Sequence, residues 1–226
     1  MWRMQSVFFI TGTDTAVGKT VLTGLLAGFL RDRGVSVAAF KPLCSGGRED
    51  AVALRAALGG ALALDEINPW HFRAPLAPAL AAKREGRIVT LPQVRAYILS
   101  RKNRFAITLV EGAGGLLSPL GEHFDSRDLI AALRATPVIV APNRLGVVNH
   151  VLLTFAALPK NARSKARVVL MSPPKPDAST TSNASLLAQI LPPERLLTLP
   201  WLGANYSAAK ALNRLAVKRV LQQLVG

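Results

Sequence analysis

Apolar residues in this chain gather into two alternating kinds of run. Some are short and β-branched; others are longer, with apolar positions recurring every three or four residues. The first short run, Val7-Phe8-Phe9-Ile10, gives way to a string of small residues and then to Val21-Leu22 and Leu25-Leu26 at helical spacing, which predicts strand, loop, helix. Residues 35–40 are expected to be the second strand, because β-branched and apolar residues follow the Arg33-Gly34 stop. A helix is predicted over 49–58, then a proline-punctuated loop from 68 to 78 entering a helix that ends near 84, then a helix over 93–101. Strands are predicted at 105–110, 136–142 and 167–172, with a helix opened by residues 145–150 between the last two. Residues 173–182, rich in Pro, Ser and Thr, read as a surface loop before a helix over 183–191. Residues 196–199 lead into Pro200-Trp201-Leu202, and 208–224 read as a closing amphipathic helix. Strands alternating with helices imply an α/β fold, a parallel sheet covered by helices on both faces. With no internal repeat and no separating linker, one domain over residues 1–226 is expected.

The loop between the first strand and helix carries the most specific chemistry. Gly12-Thr13-Asp14-Thr15-Ala16-Val17-Gly18-Lys19-Thr20 has the order of a phosphate-binding P-loop. A triphosphate needs converging backbone N–H groups, residues small enough to let the main chain approach, and a helix N-terminus that favours anions. Lys19 would set a point charge against the terminal phosphates, and the Thr20 hydroxyl would bind a bridging Mg²⁺. The spacing departs from the strict motif, for Thr13 stands at the first glycine's place and Gly12 lies one residue early. A P-loop nucleoside triphosphatase architecture follows from strand, loop and helix together.

Further candidates lie at predicted strand ends. Ligands of open parallel sheets sit beyond the carboxyl ends of the strands, so Lys41 and Ser45 fall beside the P-loop mouth if the second strand neighbours the first. Asp50 opens the next helix. Glu111, at a strand end before Gly112-Ala113-Gly114-Gly115, occupies the place where P-loop folds set a second Mg²⁺ contact; a solvated acid in a glycine turn is the plainer alternative. Cys44 reads as a small packed side chain, since no activating base is near in sequence. His150 reads as a capping or interface group, and Trp201 as either a lid over a base or core.

Composition narrows the setting. Half of the 226 residues are apolar, enough for a sizeable core, yet no run of about 18 uncharged apolar residues marks a membrane span. Residues 1–5 lead into the first strand without an apolar leader, so no signal peptide is expected. A single cysteine excludes an internal disulfide framework, and a cytoplasmic location is expected. The net charge is +15, from 28 Lys and Arg against 13 Asp and Glu. Such a field draws polyanions nonspecifically. The cations are scattered and lack interleaved aromatics, so a solvated basic surface is expected rather than a dedicated nucleic-acid face, with nucleic acid bound only nonspecifically.

Taken in order, the P-loop, Lys41-Pro42 with Ser45-Gly46, Asp50, Glu111 to Gly115, Leu145-Gly146 with Asn149-His150, and Pro200-Trp201-Leu202 resemble the dethiobiotin synthetase family from about Val7 to Leu202. The resemblance implies ATP-dependent carboxylation and ring closure of 7,8-diaminopelargonic acid with CO2, through a carbamate and its mixed anhydride with phosphate. It implies Lys19 and Lys41 as catalytic cations, and Thr20, Asp50 and Glu111 as the Mg²⁺ shell. The nucleotide would touch Ala16, Val17, Gly18, Lys19, Thr20, Val21, Asp50, Glu111, Gly112, Ala113 and Gly114. Its base would meet Ser172, Pro200, Trp201 and Leu202. The substrate would be held by Thr15, Lys41 and Ser45, with Gly146, Val147 and Asn149 reaching its carboxylate tail across a homodimer interface.

Several positions differ from the family pattern: Ala16 replaces an acid, Ser172 an asparagine, Ala204 a glutamate and Arg144 a lysine. The first three surround the nucleotide, so looser base selectivity is expected. A partition-type or regulatory ATPase with a basic binding surface is the rival from another class. It would carry a lysine early in the P-loop, where Thr11-Gly12-Thr13-Asp14 stands. A related amide- or ring-forming ATPase acting on another substrate is the rival among enzymes.

Overall fold

Strand β1 (Ser6–Gly12) feeds helix α1 (Lys19–Arg31), and the chain returns as β2 (Val37–Phe40). The computed structural model describes residues 5–226, so the leader reading of residues 1–4 lies outside the described residues. After β2 come β3 (Leu43–Ser45), α2 (Glu49–Ala57), α3 (Leu64–Ile67), β4 (Trp70–Phe72), α4 (Pro78–Arg84) and α5 (Leu91–Lys102). The second half runs β5 (Ile107–Glu111), α6 (Ser126–Leu133), β6 (Thr136–Pro142), α7 (Val147–Ala157), α8 (Lys160–Arg163) and β7 (Arg167–Met171). It closes with α9 (Ala178–Ala188), β8 (Leu196–Leu199), α10 (Ala208–Leu212) and α11 (Leu215–Val225).

Six strands pair in the order β2-β5-β1-β6-β7-β8, every pairing parallel. Because side chains alternate across a strand, β1 sends Phe8 and Ile10 into one apolar layer and Val7 and Phe9 into the other. The first layer is covered by α1, α2, α10 and α11, the second mainly by α5, α6, α7 and α9. Phe9, Ile10, Val138, Ile139 and Val140 are fully buried, which explains why these strands read as continuous apolar runs. Burial of each such side chain contributes about 1.5–3 kcal/mol.

The topology changes one premise of the sequence reading. β2 does not neighbour β1, since β5 lies between them. Lys41 therefore reaches the P-loop across the end of β5, whose last residue is Glu111.

Other differences are local. A two-stranded parallel ribbon, β3 with β4, has strands too short for a periodic signal. α6 is also absent from the sequence pattern; its start is set by Asp125, whose carboxylate accepts the Arg127 N–H at 2.7 Å while Asp128 accepts that of Asp125 at 2.9 Å. α9 begins at Ala178 rather than 183, because Asp177 caps it by accepting the Thr180 N–H at 2.9 Å. The closing helix is broken at Arg214, whose backbone is extended and whose guanidinium donates to the Trp201 carbonyl at 2.6 Å.

Candidate active site

The P-loop leaves β1 at its carboxyl end and turns into α1 through Gly18, which caps the helix with φ 98°. Only glycine adopts that conformation without strain. Gly12 performs the close approach that Thr13 would occupy in the strict motif: a Cβ there would lie 2.6 Å from Val17 Cγ2 and 3.1 Å from the Asp14 carbonyl oxygen. Ala16 holds φ 57°, so a residue with a side chain bears left-handed backbone in the loop. Such a residue costs on the order of 1–3 kcal/mol and persists only where its surroundings impose it.

Four charged side chains converge at this mouth. Lys19 is buried and donates from Nζ to the Asp14 carbonyl oxygen at 2.8 Å. Burial, helped by the neighbouring positive charge of Lys41, pushes its pKa down to about 8. Lys41 Nζ donates to Asp50 Oδ2 at 2.6 Å and to Glu111 Oε1 at 2.7 Å. Burial alone would lower the pKa of Lys41, but the two carboxylates outweigh it and hold the ammonium firmly charged. Asp50 mirrors this: burial raises its pKa, and the adjacent Lys41 ammonium more than reverses the shift. The Thr20 hydroxyl donates to Glu111 Oε1 at 2.7 Å, while Glu111 Oε2 is buried without a hydrogen-bond partner among the described residues. An unpartnered buried acceptor costs about 1–3 kcal/mol, so this oxygen is suited to a cation or water.

The donor set fits Mg²⁺. Thr20 Oγ1, Asp50 and Glu111 offer only hard oxygens, and Mg²⁺ usually takes one or two carboxylates, with water and phosphate completing its octahedron. Among the described residues no group of three or more His, Cys, Asp or Glu could hold a metal without such help.

A cleft of about 600 Å³ opens from these groups and is lined by Thr15, Lys19, Thr20, Lys41, Ser45, Asp50, Ala113 and Gly114. Most of the expected phosphate, metal and substrate-head residues thus share one cavity. Its far wall, Pro75 to Pro78 with Ser118, carries no signal of a role in the sequence beyond the prolines that mark a fixed loop. Ser45 donates to the Leu76 carbonyl, tying β3 to that wall. Asn68 likewise escapes sequence reasoning: it is buried, and its side-chain amide donates to the Lys41 carbonyl at 2.8 Å, fixing the backbone that carries Lys41. Cys44 is buried, donates to the Gly47 carbonyl at 3.1 Å, and has a raised pKa because of that burial, as befits a packed side chain.

The remaining expected residues lie apart from the cleft. Met171 lies against Gly18, so Ser172 at the end of β7 sits beside the P-loop, and its N–H donates to the Leu199 carbonyl at 2.9 Å. Pro200, Trp201 and Leu202 follow β8, the strand paired with β7, and Trp201 is 43% exposed, which removes it from the core and leaves the lid role open. Gly146 caps α7 with φ 88°. Asn149 and His150 are exposed, whereas the Val147 side chain is buried and its N–H donates to the Arg144 carbonyl at 3.1 Å. None of the α7 residues lines the cleft of their own chain.

A glycine-capped loop at the end of a central parallel strand, with a lysine, a threonine hydroxyl and two carboxylates at its mouth, defines a P-loop nucleoside triphosphate-binding protein. Comparison with known proteins agrees: the family model for an AAA domain, AAA_26, matches residues 6–206. The chain is 40% identical over 217 residues to the ATP-dependent dethiobiotin synthetase BioD of Anaeromyxobacter dehalogenans (strain 2CP-C), covering 94% of this chain and 97% of that protein. To the protein of the same name from Bacillus subtilis (strain 168) it is 35% identical over 204 residues, covering 88% and 86%. The chain belongs to the ATP-dependent dethiobiotin synthetase family. Among solved structures, MinD cell division protein of Aquifex aeolicus matches with a TM-score of 0.58 at 14% identity, covering 97% of this chain and 95% of that one. The pNOB8 ParA bound to nonspecific DNA matches with 0.57 at 12%, covering 97% of each. At that identity these two show the fold alone. No helix among the described residues is long and apolar enough to cross a membrane.

Proposed function

We propose that this chain makes dethiobiotin from 7,8-diaminopelargonic acid, CO2 and ATP in the cytoplasm. The observation that carries the reading is the Lys41 ammonium, held at 2.6 and 2.7 Å between Asp50 and Glu111 at the head of the cleft, next to Lys19. One substrate amine adds to CO2 and loses a proton, giving a carbamate. A carbamate oxygen attacks the γ-phosphorus and ADP leaves; the second amine then attacks the carbamoyl carbon and expels phosphate, closing the ring. Both later steps gather negative charge on oxygen, so fixed cations lower the barrier by electrostatic stabilisation. Lys41 has three N–H donors and spends two on the carboxylates, which leaves one for the carbamate. Lys19, released from the Asp14 carbonyl, neutralises the γ-phosphate.

Thr15 and Ser45 orient the reacting end of the substrate, and Ala16 to Val21 and Gly112 to Gly114 surround the phosphates. Thr20, Asp50 and Glu111 would hold Mg²⁺, which when bound would offset phosphate charge. Ser172 and residues 200–202 flank the base, Trp201 as its lid. A homodimer supplies Gly146, Val147 and Asn149 from the second copy to the carboxylate tail; Leu145, 81% exposed, and Leu153, 62% exposed, support α7 as a contact face. Residues 1–226 act as one domain.

ATP consumption should require both diaminopelargonate and bicarbonate, with dethiobiotin as product. Hydrolysis of ATP at the same rate without either would refute the reading.

A further inference from the structure

Because all six strands of the main sheet are parallel, every connection that brings the chain back to a strand does so at one pole, opposite the cleft. Each of the five such connections carries a cation close before its strand: Arg33 before β2, Arg104 before β5, Arg134 before β6, Lys165 before β7 and Arg195 before β8. Their acids are Asp32 and Glu194, and each lies within ion-pair distance of a neighbouring arginine, Arg31 at 2.9 Å and Arg195 at 3.9 Å. Arg33, Arg104, Arg134 and Lys165 are exposed and have no ion-pair partner among the described residues. The guanidinium of Arg33 rests 3.6 Å over the Phe29 ring and that of Arg104 5.7 Å over Phe105, which orients each group and leaves its N–H edge free.

We propose that this stepped row is a track for the phosphate backbone of nucleic acid, bound without regard to sequence. Neighbouring strands lie about 4.8 Å apart, so the row crosses roughly 24 Å of sheet. Along that length duplex DNA presents one charge per about 1.7 Å, or about 14 phosphates. A linear polyanion matches a row of point cations. A bilayer would call for several apolar side chains among them, and of the large exposed hydrophobic residues only Ile190 lies in these five connections. Helix dipoles favour a cation after a helix end, but three of the connections and their flanks hold two or three, as with Arg163, Lys165 and Arg167.

The four unpaired cations predict a slope of log K against log salt near −3.6, a loss of about 150-fold between about 50 and about 200 mM NaCl. The test uses fluorescein-labelled duplex DNA of random sequence and the full chain. Arg104→Gln with Arg134→Asn and Lys165→Gln should bring the slope to about −1, with ATP turnover unchanged. A control triple variant, Lys83→Gln with Arg84→Gln and Lys175→Gln, removes the same charge elsewhere and should keep the wild-type slope. Equal loss of affinity in both variants would reduce the effect to net charge and overturn the proposal. So would unchanged DNA binding with a lowered Tm, which marks dipole compensation only. Tighter association with phosphatidylserine vesicles than with DNA would overturn it in favour of a membrane.

Discussion

The depressed pKa of Lys19 makes nucleotide affinity depend on pH in a range where ATP itself no longer titrates. In the empty protein Lys19 is buried beside Lys41 and loses its proton around pH 8; phosphate oxygens in its place would hold that proton. Binding ATP at alkaline pH therefore requires taking up a proton, and affinity falls toward tenfold per pH unit above about 8. For a pKa of about 8 in the empty protein, the charged fraction drops from about 0.76 at about pH 7.5 to about 0.03 at about pH 9.5, a weakening of about 25-fold. Calorimetric titration with a nonhydrolysable ATP analogue across that range reads the slope directly. Lys19→Met should bind weakly with no such slope. A flat wild-type profile, or an equal slope in the variant, would refute the argument. The sign for stability is the reverse of the usual lysine case. Between about pH 8 and about pH 10.4 the unfolded chain holds more protons at Lys19 than the folded one, so the empty fold gains stability from this residue as pH rises. By the same reasoning Lys19→Met should stabilise the empty protein at neutral pH, by up to about 3 kcal/mol, while abolishing turnover.

Lys41→Met should lower kcat about 10²–10³-fold and destabilise the fold by about 3–5 kcal/mol at neutral pH, because Glu111 would be left buried without its counter-ion. The part of that loss due to Asp50, whose folded pKa is depressed, is present above about pH 3.8 and disappears as pH falls through the folded value, so the gap between the urea melts of the two proteins should narrow in acid. Gly18→Ala places a side chain at φ 98°, with its Cβ 2.9 Å from Met171 Cε, and should lower Tm by a few degrees, for about 1–2 kcal/mol of strain, while ATP affinity measured by the same titration falls more than tenfold. Ala16, Ser172 and Ala204 carry no acid or amide, so if the base sits where we propose, kcat/KM for ATP, CTP and GTP should differ by less than about tenfold, under the ~1.4 kcal/mol that one lost polar contact is worth; strong preference for ATP would point to backbone groups near Trp201 as the reader.

The parts of this protein whose cause is local can be read along the chain. A P-loop is legible because closely approached phosphates demand small residues, and Gly12, Gly18, Lys19 and Thr20 fall within one short stretch of the chain. Buried parallel strands are legible as unbroken apolar runs, and Asp50 and Glu111 stand out because a helix start and a strand end place them. The capping that starts α6 and α9 is local too, but it rests on Asp125, before a helix of only eight residues, and on Asp177, in a stretch rich in Pro, Ser and Thr. The rest depends on how distant segments pack. The order of strands is set by how layers pack, and it put β5 between β1 and β2, so that Lys41 and Glu111, 70 residues apart, share a 2.7 Å contact. Asn68 became a support for Lys41 only through the fold, since one buried amide with a distant backbone partner leaves no periodic trace. The depressed pKa of Lys19 and the basic pole have the same origin: burial and parallel topology bring together charges that the chain itself scatters, and only their distances turn composition into an electric field.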